Sequence, residues 1–205
     1  MFGPDGVERY LSRVKPWQVV AIWVPVIAWL LVRASLALPA AGVAAGAAAG
    51  LAAWTLLEYL LHRWVFHFEP DPGSELQRDV AWLIHGVHHD YPHDPDRLVM
   101  PPVVSVALGA ALALPARAAL GPAWFPPVFA GLLAGYLWYD LTHYAIHHHR
   151  PRTALGRLQR RNHLLHHFGS PGRLYGVTTP LWDLVFATHA RAPRPRGATP
   201  SSGPR

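Results

Sequence analysis

Residues 19–38 read VVAIWVPVIAWLLVRASLAL, an apolar run of twenty residues that only Pro25 and Arg33 interrupt. At a rise of about 1.5 Å per residue, a helix of this length crosses the roughly 30 Å hydrocarbon core of a bilayer. The chain of 205 residues is 51% hydrophobic and 15% charged, whereas a soluble domain carries roughly a quarter charged residues. The stretch therefore predicts a transmembrane helix in an integral membrane protein.

A second apolar segment follows at residues 39–61. Gly42, Gly46 and Gly50 recur in it every four residues and share one helical face. Such a strip allows the backbone of another helix to approach closely. We therefore expect a second span that packs tightly against a neighbour.

Two shorter apolar segments, 103–114 and 128–139, are separated by a proline-rich stretch. Two full spans fit them, and so does a helical hairpin that dips into the bilayer. The predicted fold is an all-α integral membrane protein, with four transmembrane helices or two spans plus a helical hairpin.

The cationic residues lie unevenly about these segments. With a cytoplasmic N-terminus, sixteen of the eighteen Lys and Arg are cytoplasmic, and only Arg33 and Arg117 are not, as the positive-inside rule requires. We expect an amphipathic arm over 1–18, a membrane domain over 19–188, and a cytoplasmic, disordered tail over 189–205. One Lys beside seventeen Arg indicates a GC-rich bacterial genome and hence the inner membrane. The chain shows no nucleic-acid-binding motif, so no nucleic-acid partner is expected.

The chain has no cysteine and fourteen histidines, which excludes disulfides, thiolate metal sites and cysteine nucleophiles. Two HxxHH segments, 85–89 and 163–167, each place three imidazoles on one helical face. One tetrahedral zinc uses four ligands at most, so eight or more imidazoles predict two metals. Imidazole suits Zn, Cu, Fe and Ni, and ligand type does not choose among them. The clustered histidines on the predicted cytoplasmic side are His62, His67, His85, His88, His89, His143, His147, His148, His149, His163, His166 and His167.

The spacing of His62 and His67 is unusual. Five residues advance an α-helix by about 500°, so these rings point roughly 140° apart on a straight helix. They share a metal only if the helix bends or ends between them. Otherwise they serve different metals.

Carboxylates near the histidines are few. Glu58 lies four residues before His62, and Asp140 lies three before His143. We expect them, and with less support Asp183, to accept the second ring N–H of metal-binding histidines.

Five motifs, in this order, resemble the fatty acid hydroxylase superfamily, and most closely its fatty acid 2-hydroxylase branch. They are EYLLHRWVFH at 58–67, HGVHHDYPHDPDRLVMPP at 85–102, GYLWYDLTHYAIHH at 135–148, HLLHHF at 163–168 and YGVTTPLWDLVFAT at 175–188. The resemblance implies a membrane enzyme with a cytoplasmic dimetal cap, which uses O2 and two electrons to hydroxylate C2 of a long acyl chain, often in sphingolipids.

The resemblance also implies a ligand set. His148 is a weaker candidate, and His93 and His149 match no ligand position, while His189 stands in the tail. The implied metal ligands are His62, His67, His85, His88, His89, His143, His147, His163, His166 and His167.

The chemistry implied is oxidative. Zinc is redox-inert, so we expect two irons in the active form and O2 as co-substrate. Zinc can occupy the same sites in a purified preparation. Eukaryotic members often carry an N-terminal cytochrome b5 domain, whereas here 18 residues precede the first span. We therefore expect a separate electron donor, either cytochrome b5-like or a ferredoxin with its reductase.

The substrate is expected to meet the protein at the membrane surface. Candidate contacts at this edge are Tyr91, Arg97, Tyr144 and Trp182. The Arg-rich segment 148–162 either faces lipid headgroups or docks the donor.

Two alternatives remain open at this stage. One is a sterol or carotenoid hydroxylase or desaturase of the same superfamily, against which RLVMPP and GVTTPLWD argue. The other is a metal-handling membrane protein without catalysis, although its spans would be expected to hold more ionisable residues.

Overall fold

The computed structural model describes residues 13–170 and 172–189, and within these ranges all regular structure is helical. The predicted tail over 189–205, apart from its first residue, and the first twelve residues of the predicted arm lie outside the described residues. The first described helix begins at Pro16, three residues before the apolar run. The elements are α1 Pro16–Ser35, α2 Ala40–Leu60, π1 Leu61–Phe66, α3 Glu75–Ala81, π2 Trp82–Gly86, α4 Val87–Asp90, α5 Pro102–His148, α6 Ala154–Phe168 and α7 Leu181–Val185.

Three of the described helices are long and apolar enough to cross a membrane, namely Pro16–Ser35, Ala40–Phe66 and Pro102–His148. The bundle exposes large apolar side chains on its outside, including Trp29 and Leu114. Such a surface suits lipid and not water. The predicted class, an all-α membrane protein, is confirmed.

The long helix α5 is divided at Gly121, whose φ of 68° and ψ of 178° are not helical. Glycine adopts this conformation because it has no Cβ. The two halves return side by side, since Met100 N donates a hydrogen bond to Asp140 at 3.1 Å. Trp23 of α1 also contacts both halves, packing on Gly109 and edge-on to Tyr136. The two apolar segments therefore form an antiparallel helical pair, an arrangement that both forms of the prediction share.

Helices α2 and α5 meet through small residues on both sides. A Cβ added at Gly46 would lie 2.8 Å from Pro127, and one at Gly50 would press on the backbone of Val128 and Leu132. Gly42, in contrast, faces only its own preceding turn. The predicted close packing is thus confirmed at two of the three glycines, and it brings the ends of α2 and α5 together.

Candidate metal centre

Helix α2 ends in a π-helical turn, π1, that contains His62 and ends directly before His67. In a π-helix each N–H bonds to the carbonyl five residues earlier, so residues i and i+5 lie one above the other. The ring centroids of His62 and His67 are therefore only 5.1 Å apart. The bend that the five-residue spacing required is this turn.

The ten histidines of the implied ligand set form two groups of five. Within each group, one ring nitrogen from every histidine lies within 4.8 Å of all the others. Site 1 comprises His62, His67, His85, His89 and His166. Site 2 comprises His88, His143, His147, His163 and His167.

Each HxxHH segment is divided between the two sites. The outer histidines of the first segment, His85 and His89, belong to site 1, while His88 belongs to site 2. The second segment is reversed, with only its middle histidine, His166, in site 1. The three imidazoles of a segment share a face as predicted, but that face lies over the groove between two sites.

The donor set fits a cation. The Nε2 atom of His163 lies 2.9 Å from the Nε2 atoms of His143 and His147 and 3.0 Å from that of His167. A neutral imidazole nitrogen carries either one proton or one lone pair. It cannot bond three other nitrogens, whereas a metal ion accepts all of these lone pairs together.

Two site 1 ligands have their tautomer fixed by backbone carbonyls. His62 Nδ1 donates to the carbonyl of Tyr175 at 2.5 Å, and His166 Nδ1 donates to that of Arg173 at 2.7 Å. Their Nε2 atoms are therefore left with lone pairs. His62 Nε2 is buried without a hydrogen-bond partner in the described part of the chain, as a metal ligand would be.

Burial keeps the cap histidines neutral. Burial, together with the positive charge that a neighbouring His166 would carry, lowers the pKa of His67 to about 4 and that of His89 to about 3. Burial also holds the pKa of His85, His88 and His163 well below 6.5. Neutral imidazole is the form that binds metal.

The three carboxylates bind other partners than the imidazole N–H groups that the sequence led us to expect, so that expectation is wrong. In the described residues Glu58 accepts hydrogen bonds from Val177 N and Thr178 N, and Asp183 from Tyr175 N and Gly176 N. Asp140 binds Met100 N and the Tyr136 hydroxyl. These carboxylates satisfy buried backbone amides, which water cannot reach, and not imidazole N–H groups.

A small cavity of about 30 Å³ touches both sites. His85 of site 1 and His88 and His143 of site 2 line it, with apolar walls that include Leu98 and Met100. Arg97 also lines this cavity. A larger open cavity of about 530 Å³ adjoins site 1 at His67, His85, His89 and Tyr175.

Of the candidate edge residues, two lie together. Arg97 binds Asp94 at 3.0 Å and lies 5.2 Å from the ring centroid of exposed Tyr91. Tyr144 instead packs on His148, which belongs to neither five-membered site.

Trp182 lies apart from this pair, because its indole N–H donates to Thr55 at 3.0 Å. The loop at 173–178, whose carbonyls hold His62 and His166, was not predicted as part of the site. The motif YGVTTPLWD was its only sequence signal.

A membrane bundle that ends in two five-histidine sites defines a membrane-embedded class of metalloprotein. The family model for fatty acid hydroxylases matches residues 47–188, and the chain belongs to that family.

Named relatives are 2-hydroxylases. A dihydroceramide fatty acyl 2-hydroxylase of Arabidopsis thaliana is 38% identical, with 88% of this chain and 76% of the relative covered. The fatty acid 2-hydroxylase of Rattus norvegicus is 32% identical, with 92% of this chain and 56% of the relative covered. A solved structure of full-length scs7p, in which only the hydroxylase domain is visible, superposes with a TM-score of 0.86 at 34% identity, covering 91% of this chain and 70% of that one.

Proposed function

We propose that the protein hydroxylates C2 of a long-chain fatty acid, or of the acyl chain of a sphingolipid, with O2 as co-substrate. The observation that carries this proposal is the pair of five-histidine sites that share one cavity with partly apolar walls. The names of the relatives, which specify fatty acyl 2-hydroxylation, support the position of the hydroxyl group.

The sites fit two metal ions, which we propose to be iron in the working enzyme. When bound, iron supplies the redox chemistry that O2 activation needs and that zinc lacks. Site 1 and site 2 would each hold one ion through imidazole nitrogens. The protein contributes position, orientation and exclusion of water.

The cavity between the sites is the place where the chain can present a C–H bond. Its walls include Leu83, Leu98 and Met100, which exclude water and accept methylene groups. Its volume of about 30 Å³ admits a small part of a chain, so it suits the reacting carbon and its neighbour. Holding that carbon against both sites lowers the entropic part of the barrier.

Arg97 is the proposed carboxyl or amide contact. Arg97 lines this cavity, and its guanidinium contacts Asp94 and the ring of Tyr91. A guanidinium binds carboxylate or carbonyl oxygen through directed N–H groups. With the acyl head bound by Arg97, C2 would be the next carbon along the chain from the carbonyl carbon, close to this cavity.

The distribution of charge supports an orientation in the membrane. We propose that the N-terminus, both sites and the C-terminus face the cytoplasm of a bacterial cell, since sixteen of eighteen cations then lie inside. An external donor, cytochrome b5-like or a ferredoxin with its reductase, would supply two electrons. The exposed Arg150, Arg152, Arg157 and Arg161 offer a surface either for an acidic donor or for lipid headgroups.

Lipid analysis of an expression host tests the proposal. Hydrolysed lipids should contain 2-hydroxy acids, one oxygen atom heavier than the parent acids, in cells with the wild-type chain. His166→Ala should abolish them, and His149→Ala, at an exposed histidine outside both sites, should not. Hydroxylated sterol or carotenoid without 2-hydroxy acid would contradict the substrate, and full product from His166→Ala would contradict the site.

Metal analysis separates the remaining possibilities. Purified protein supplied with an acyl substrate, O2 and a two-electron donor should form 2-hydroxy product when loaded with iron and none when loaded with zinc. Two bound metals with no oxygen consumption, together with metal flux into liposomes, would instead support the metal-handling alternative.

A further inference from the structure

Five consecutive backbone amides in the loop before α7 are all held by acceptors from other elements. The N–H of Leu174 bonds to the carbonyl of Thr188. Those of Tyr175 and Gly176 bond to Asp183, at 2.9 and 2.8 Å. Those of residues 177 and 178 bond to Glu58, at 2.7 and 2.8 Å. A loop with every amide bound in this way has one conformation.

That conformation aims two carbonyls at two metal ligands. The carbonyls of Arg173 and Tyr175 accept from His166 Nδ1 and His62 Nδ1. Leu174 stands between them with a φ of 62°, which a leucine adopts only when its surroundings impose it. Such strain concentrates where backbone geometry serves function. Here the unusual backbone at Leu174 directs the carbonyls on either side of it, those of Arg173 and Tyr175, towards two imidazoles.

Site 2 has no equivalent support. The Nδ1 atoms of His88, His147 and His163 are buried and lack hydrogen-bond partners in residues 13–170 and 172–189. The loop therefore acts on one site of the pair.

We propose that Glu58 and Asp183 are positioning residues for the site 1 metal, which they serve by fixing the loop carbonyls that orient His62 and His166. Both carboxylates are almost fully buried. The hydrogen bonds of Glu58 and Asp183 in the described residues go to backbone amides and threonine hydroxyls, so each carboxylate acts on the ligand rings through the loop. This inference rests on the proposed function only in that site 1 binds a metal.

Because the two carboxylates accept different sets of hydrogen bonds, replacing Asp183 by Asn and Glu58 by Gln should have different effects. Asp183 accepts a backbone N–H on each oxygen, so Asp183→Asn places its NH2 group against a backbone donor in either orientation. Glu58 accepts both backbone N–H groups on one oxygen and the Thr178 hydroxyl on the other. Glu58→Gln can therefore keep both amide bonds while the hydroxyl rotates to accept. Glu58→Ala loses all three.

The test is the metal content of purified protein reconstituted with zinc or with ferrous iron under anaerobic conditions. Asp183→Asn and Glu58→Ala should weaken binding at site 1 by roughly 10–100-fold, the usual effect of removing an outer contact. Glu58→Gln should bind as wild type does. The buried Asp140→Asn is the matched control, because Asp140 does not contact the loop.

Double variants assign the loss to one site. His67→Ala disables site 1 and His147→Ala disables site 2. Asp183→Asn should then remove the remaining metal from His147→Ala and leave that of His67→Ala unchanged. Excess metal should restore the occupancy of site 1 in the double variant Asp183→Asn, His147→Ala.

Three results would overturn the inference. The first is that Asp183→Asn binds metal at both sites with the affinity of the wild type. The second is that Asp183→Asn loses metal affinity equally at both sites. The third is that Glu58→Gln and Glu58→Ala bind metal with the same affinity. In the first case the wild-type protein still binds two metals, so the proposed function stands while the positioning role fails. A wild-type protein that binds no metal would overturn both.

Discussion

A methyl group at Gly50 should separate the two helices that carry the histidines. A Cβ there would lie 2.8 Å from the backbone nitrogen of Leu132 and closer still to the carbonyl of Val128. Both obstacles are backbone atoms, so no side-chain rotation relieves the contact. Helices α2 and α5 must move apart instead.

The size of that movement follows from the distances. An ordinary contact is about 3.4 Å or more, so α2 and α5 must separate by at least roughly 0.6 Å, and overpacking of this kind costs about 1–3 kcal/mol. Metal and catalytic constellations tolerate displacements of about 0.5 Å. Helix α2 continues into His62, and α5 carries His143. Gly50→Ala should therefore lower stability and weaken metal binding together.

Gly42→Ala is the control in the same strip. Its Cβ would meet Leu38 at an ordinary 3.4 Å, so it should match or exceed the wild type, because alanine favours helix by up to about 1 kcal/mol. Thermal unfolding in detergent should show Gly50→Ala about 2–12 °C below the wild type, with less bound metal. If both variants melt with the wild type and retain two metals, the close approach of α2 and α5 is refuted.

Three further outcomes are expected. His166→Ala and His167→Ala, although adjacent, should each lose a different metal, so the double variant binds neither; loss of the same metal by both would contradict the two sites. Metal-free protein should lose stability as pH falls from about 6.5 towards 4. The unfolded chain binds protons at His67 and His89 in this range, whereas the folded protein does not, because folding lowers their pKa to about 4 and 3. A melting temperature that does not change over this range would argue against the burial of both rings. Arg97→Gln should raise KM for an acyl substrate more than it lowers kcat, since the lost contact serves ground-state binding; an unchanged KM would remove Arg97 from the substrate site.

The histidines were the most predictable part of the site. Residue type and helical spacing predicted that they bind metal, and the family motifs supplied the ten positions that the structure divides into two groups. Their division was not predictable, because helical periodicity shows that His85, His88 and His89 share a face but not that the face lies over a groove. The π-helical turn at His62 was anticipated only as a required bend, since i to i+5 bonding depends on what the turn packs against.

The carboxylates show a different limit. Glu58 was recognised by its distance from His62 in the sequence and Asp183 with less support, and the predicted imidazole partner was wrong for both. Each carboxylate binds the loop at 174–178, which is more than a hundred residues from Glu58 along the chain. Local spacing has no information about such a contact. Similarly, Gly42, Gly46 and Gly50 look equivalent in sequence, and only the position of α5 distinguishes them.

The two sites are assembled by one rule. Each takes a pair of histidines from the end of a membrane helix, the outer pair of one HxxHH segment, and the middle histidine of the other segment. Neither site can therefore form until both HxxHH segments are in place. Because His88 and His89 are adjacent in the chain but belong to different sites, one helical turn positions a ligand for each site.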